Sequence, residues 1–130
     1  DVENRKPNGL GIMTFSPIAV GLLGGQFRRG QPPVPGSPWD TEMDFEQEFS
    51  ERGDAVVARL IEIAEERSAA PAQVAISWIL DHPEITSALI GPDLPEHVDE
   101  AVAAVGFELT EEERRSLDDL SQWVVPRRYL

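Results

Sequence analysis

Thr14-Phe15-Ser16-Pro17-Ile18-Ala19-Val20-Gly21-Leu22-Leu23-Gly24-Gly25 is the stretch that decides the fold. A short apolar run enters Ser16-Pro17 and then a turn rich in small residues. This layout sets backbone N–H groups around an open space at the carboxyl end of a parallel strand, where phosphates are gripped. Upstream, residues 11–16 lie between Gly9 and Pro17 and read as a buried strand. Downstream, residues 28–49 are irregular, with Pro32, Pro33, Pro35, Gly36 and Pro38 set among Trp39, Met43, Phe45 and Phe49. The whole span 28–53 is expected to be a long loop insertion, of the kind that covers a site or stays disordered.

Beyond it the period changes to that of helices. Residues 54–67 put Val57, Leu60, Ile61 and Ala64 on one face and Glu62, Glu65 and Glu66 on the other. Pro71 suits the first turn of a helix over 72–81, apolar on most sides, whose N-cap residue Ala70 offers no oxygen. Residues 85–90 read as a second strand, stopped by Gly91-Pro92. Residues 95–105 form an amphipathic helix with Val98, Val102 and Val105 on its apolar face. Thr110 and Glu113 make a capping box ahead of a helix over 111–120, and a basic, extended tail follows at 124–130.

Two strands separated by helices predict an α/β fold with a parallel sheet. Two apolar strands alone leave both sheet edges open, so the pattern asks for more sheet than these residues supply. A (β/α)8 barrel runs to about 250 residues, and this chain has 130.

Eleven basic against 24 acidic residues give a net charge of −13, which disfavours nucleic acid and anionic membranes as partners. With no cysteine there is no disulfide framework and no thiolate chemistry, as suits a reducing cytoplasmic setting. No apolar run approaches the roughly 18 residues of a membrane helix. The polar start, Asp1-Val2-Glu3-Asn4-Arg5, is no secretory signal.

Three stretches, in order, resemble the aldo-keto reductases: the loop quoted above; residues 60–64 with 70–80, including Pro71-Ala72-Gln73-Val74-Ala75 and Trp78; and residues 88–101, from Ala88-Leu89-Ile90-Gly91 to Glu100-Ala101. The likeness runs over about residues 9 to 122. It implies the C-terminal portion of a (β/α)8 TIM barrel, strands 7 and 8 with their helices, which is the half that holds the nicotinamide cofactor. On that resemblance, Phe15 stacks on the nicotinamide and Ser16, followed by Pro17, hydrogen-bonds the pyrophosphate or ribose. N–H groups near Ile18, Gly21 and Leu23 cradle the phosphates. Gly91 admits the adenosine, and Glu100 accepts from the adenine amino group.

Three positions depart from the family pattern. Asp93 stands where Arg, Ser or Thr often meets a 2′-phosphate; a carboxylate there repels phosphate but accepts from a ribose 2′-hydroxyl. His97 replaces a Gln, and a protonated His partly offsets that repulsion. Ala101 replaces an Asn. The cofactor that the resemblance implies is therefore NADP(H) or NAD(H). The family's catalytic Tyr, Asp, Lys and His lie on its first four strands. The Tyr and Lys of this chain, Tyr129 and Lys6, and its histidines, His82 and His97, do not map onto them.

The resemblance thus implies part of an oxidoreductase that reduces aldehydes or ketones. This chain supplies the cofactor side, no catalytic residue and no metal site, and is inactive alone. Its expected partners are a small carbonyl substrate in the complete protein, and the missing barrel half or a second copy. The alternative is a stand-alone, non-catalytic half-barrel module that pairs with another chain; a weaker one is an acidic helical adaptor. Trp78 is expected in the core, His82 at the last carbonyls of a helix, and Trp39 and Trp123 in a pocket wall or ordinary packing.

Overall fold

A computed structural model describes residues 9–122. Two short strands, β1 (Met13–Phe15) and β2 (Ser87–Leu89), pair in parallel with Met13 opposite Ser87, Thr14 opposite Ala88 and Phe15 opposite Leu89. Both are shorter than the sequence suggests. β1 ends because Ser16 turns into the left-handed region at φ 49°. Below it, the Ile12 carbonyl accepts from Thr86 N–H and Ser87 N–H, so the ladder loses its regular spacing.

Between the strands lie a 3-10 turn (Leu22–Gly24), two one-turn helices, α1 (Pro38–Thr41) and α2 (Phe45–Glu48), and two long helices, α3 (Glu51–Arg67) and α4 (Pro71–Leu80). After β2 come α5 (Pro95–Ala104) and α6 (Glu111–Ser121). Helix α3 begins three residues before the periodicity suggests. The Ser50 hydroxyl caps it by accepting from Gly53 N–H at 3.1 Å. As expected, α4 opens on Pro71 behind an Ala70 that makes no capping bond.

The main core joins α3, α4 and α6 through Val56, Leu60, Ile63, Ala64, Val74, Ala75 and Leu117. Full burial of a side chain such as Leu60 or Ile63 contributes roughly 1.5–3 kcal/mol. Polar pins close the same layer. The predicted capping box forms, with Thr110 N–H donating to Glu113 Oε2 at 2.7 Å and Glu113 N–H donating to Thr110 Oγ1 at 3.2 Å. The buried Glu113 carboxylate also takes Arg67 at 2.9 Å. Burial pushes the Glu113 carboxyl up, but the bonds from Thr110 and Arg67 outweigh it and hold the group below the ordinary glutamate value. Trp78 donates to Asp118 at 2.8 Å, His82 Nδ1 meets the Trp78 carbonyl at 2.8 Å, and the Ser77 hydroxyl donates to the Phe107 carbonyl.

The sheet side is open. Met13, Phe15 and Leu89 are 66%, 81% and 55% exposed, so the expectation of buried strands fails on this face. Among the described residues, helices cover one side of the two strands, and there is no third strand or second layer on the other. The face assigned to α5 is likewise corrected. Val98, Val102 and Val105 point out, and the helix packs instead through Ala101 and Ala104, whose small side chains fit it closely against Ile76 of α4.

Residues 28–49 are not left loose. Phe27, Trp39, Phe45 and Phe49 gather with Leu22 and Val57 into a second core, with ring centroids 5.2 to 6.2 Å apart. Lys6, Trp123, Tyr129 and the basic tail at 124–130 lie outside the described residues.

Candidate cofactor site

A cleft of about 800 Å³ lies at the carboxyl ends of β1 and β2, within the size range of small-molecule and cofactor sites. One wall is the loop after β1, the second is the start of α4, the third is the segment 91–101, and residues 34–38 reach over from the insertion. Of the residues singled out in the sequence, Phe15, Ser16, Pro17, Ile18, Gly21, Gly91, Asp93, His97 and Glu100 all line this one space. Leu23 does not. Its N–H is bonded to the Ile18 carbonyl at 3.1 Å inside the 3-10 turn, and its side chain packs between the two cores.

The loop is built to keep other N–H groups open. Ala19 N–H donates to Ser16 O at 2.9 Å and Leu22 N–H to Ala19 O at 3.2 Å, which folds the chain back on itself. The N–H groups of Ile18, Val20 and Gly21 have no acceptor among the described residues. Ser16, Ala19 and Val20 hold φ of 49°, 48° and 55°. Such strain in residues other than glycine concentrates at ligand clamps. Gly21, at φ 85°, occupies a conformation only glycine adopts freely, and an added Cβ there would stand 3.7 Å from the Phe27 ring. At Gly91 an added Cβ would meet nothing within 4 Å, so the space beside that backbone is open to a ligand.

Charge is uneven across the cleft. Asp93, Glu100 and His97 line its α5 side, and among the described residues no Lys or Arg lines it. The guanidinium of Arg28 is turned away and grips Asp54 through two bonds of 2.7 and 3.0 Å. That pairing, with Arg29 N–H at 3.0 Å, holds the Asp54 carboxyl below the ordinary aspartate value against the opposing effect of burial.

No group of three metal-ligating side chains occurs among the described residues. No described helix is long and apolar enough to cross a membrane. A second hollow, of about 490 Å³, is shallow and lined by five residues of α6 alone. The sequence reading missed Val34, Gly36, Ser37 and Pro38, whose irregular spacing hides which residues face the cleft. The Ser37 hydroxyl is buried there without a partner among the described residues.

Comparison with known proteins settles the family. The model of the aldo/keto reductase family matches residues 3–122. The chain belongs to the aldo/keto reductase family. This aldo/keto reductase chain is 33% identical over 113 residues to the L-glyceraldehyde 3-phosphate reductase of Escherichia coli K12, covering 80% of this chain and 31% of that protein. It is 33% identical over 122 residues to an uncharacterized oxidoreductase of Mycobacterium tuberculosis H37Rv, covering 94% and 35%. It spans about a third of the length of the curated relatives it matches.

Among solved structures, a glycerol dehydrogenase from Gluconobacter oxydans superposes with a TM-score of 0.71 at 22% identity, covering 92% of this chain and 36% of that one. A thermostable aldo-keto reductase solved with the inhibitor epalrestat gives 0.61 at 22% identity, covering 92% and 33%. These likenesses are of fold. The helices and small parallel sheet correspond to part of an aldo-keto reductase TIM barrel.

Proposed function

We infer that this chain is the cofactor-holding portion, strands 7 and 8 with their helices, of a cytoplasmic NAD(P)H-dependent reductase of aldehydes or ketones. The observation that carries the reading is the convergence of the strained loop 16–21, the open backbone at Gly91 and the start of α5 on one cleft. The free N–H groups of Ile18, Val20 and Gly21 suit a pyrophosphate. The bare Phe15 ring suits a flat nicotinamide, and Glu100 suits an amino donor. When bound, the nicotinamide supplies a hydride. What these residues do is hold, orient and shield. Proton delivery falls to groups outside the described residues, on the rest of the protein or on a partner.

Asp93 on the α5 side of the cleft, with no Lys or Arg among the described residues that line it, favours NAD(H) over NADP(H). A 2′-phosphate would face a carboxylate with only His97 to offset it, whereas a ribose 2′-hydroxyl can donate to Asp93. Titration of the full chain with both nucleotides tests this. NADH should bind more tightly, and Asp93→Arg should reverse the order; clearly tighter NADPH binding by the unaltered chain contradicts the preference.

A second reading rests on the bare strand face and the valines of α5. A stand-alone half-barrel would need another chain, or a copy of itself, over those surfaces. Sedimentation of the chain alone decides it: a stable monomer with a sharp thermal transition argues against the module.

A further inference from the structure

Five consecutive positions, 16–20, contain three left-handed residues other than glycine. Val20 is the hardest to account for, since a β-branched residue at positive φ is a genuine outlier. Its own side chain does not hold it there, being 44% exposed. The internal bonds of the loop bracket Val20 without using it, running from Ala19 to Ser16, Leu22 to Ala19, Leu23 to Ile18 and Gly24 to Gly21. The contact that reaches it comes from the insertion. Trp39 Nε1–H donates to the Val20 carbonyl at 3.0 Å.

The donor is itself held firmly. Trp39 is 6% exposed and lies edge-on to Phe45, in the core formed with Leu22 and Phe49. The insertion that carries it is fastened at both ends to the region around the start of α3. Arg28 and the Arg29 N–H bind Asp54, and the Arg29 guanidinium donates to the Phe49 carbonyl at 2.6 Å. Residues 28–49 therefore form a strap anchored beside α3, and its middle reaches the loop through the Trp39 indole N–H and through the core that Trp39 shares with Leu22.

We propose that Trp39 is the positioning residue of the cofactor site: its indole N–H holds Val20 in the left-handed conformation that keeps the N–H groups of Ile18, Val20 and Gly21 turned toward a pyrophosphate. Trp39 does not line the cleft, and its hydrogen bond to the loop is the one to Val20. The role rests on the cofactor reading above, and it gives the insertion a purpose beyond covering the cleft. A dinucleotide meets a loop already shaped for it, so the ordering cost at binding is reduced.

The test is Trp39→Phe in the full chain, which keeps a buried ring and removes the N–H. NADH affinity should fall up to about tenfold, the loss expected for one hydrogen bond. Adenosine, which carries no phosphate, should bind as weakly as before. Without nucleotide, amide exchange across residues 16–24 should accelerate while α3 and α4 keep their protection. In a Val20→Gly background, where the left-handed conformation is free of strain, Trp39→Phe should change NADH affinity much less.

Unchanged affinity together with unchanged exchange in the loop overturns the proposal. Equal acceleration in α3 and α4 does so as well, because it marks Trp39 as ordinary core. If the unaltered chain binds neither NADH nor NADPH, the cofactor reading falls. The exchange data then decide by themselves whether Trp39 holds the loop.

Discussion

The α3–α4–α6 layer and the β1–β2–α5 layer are made of similar side chains and end in opposite states. In the first, Leu60, Ile63, Val74 and Leu117 are fully buried, and the carboxylate beside them, Glu113, is met by Arg67 and Thr110. In the second, Met13, Phe15, Leu89, Val102 and Val105 are more than half exposed. The helical layer is closed by this chain's own residues. The sheet layer presents apolar surface that the described residues do not cover, and the chain spans only about a third of its relatives. The difference separates apolar surface that the described residues close from apolar surface that they leave open.

The comparison can be broken by mutation. In denaturant titrations of the chain, Leu60→Ala should cost about 2–5 kcal/mol, as large-to-small changes in a packed core do. Phe15→Ala and Val102→Ala should each stay within about 0.5 kcal/mol, as at ordinary surface positions. If Val102→Ala costs as much as Leu60→Ala, α5 is covered in solution, and a second copy becomes the first suspect.

The polar pins come next in size. Glu113→Gln should cost about 1.5–3 kcal/mol, the range for hydrogen bonds to a charged group. The folded Glu113 and Asp54 carboxyls both lie below their ordinary values of 4.5 and 3.8. Their contribution is thus complete above those values and is lost as the pH falls through the lower folded ones. Stability of the unaltered chain should drop on acidification below about pH 4.5, and Glu113→Gln should flatten that slope. A slope unchanged by the substitution would place the acid sensitivity elsewhere.

The smallest effects concern helix ends within the closed layer. Ser50→Ala should cost about 1 kcal/mol, and Ala70→Ser should add about 0.5–1 kcal/mol, because one removes a capping oxygen and the other supplies one. Thermal melts of the two variants, shifting in opposite directions, check both.

How much of this was legible in the sequence follows from the range of the forces involved. The helices expected over 72–81 and 111–120, found at 71–80 and 111–121, the Thr110–Glu113 box and the uncapped Ala70 are local, and the residues announce them. The grouping of Phe15, Ser16, Gly21, Gly91, Asp93, His97 and Glu100 came from motif order and holds in space. Which way α5 faces was not legible. Val98, Val102 and Val105 form a good apolar stripe, and only packing shows that Ala101 and Ala104 take the core side. The residues do not announce that the 3-10 turn claims the Leu23 N–H, a matter of one hydrogen bond. Trp39 gave no periodic signal, since proline-broken chain has none, and its partner is 19 residues away.

The central claim is that the cleft at the ends of β1 and β2 holds a nicotinamide dinucleotide through the loop 16–21. The most direct measurement is a calorimetric titration of NADH into the full chain and into Gly21→Val, which places a β-branched side chain at φ 85°. The account predicts saturable one-to-one binding that weakens by at least about tenfold in the variant. Equal affinity in the two chains, or no binding to the unaltered one, would contradict it.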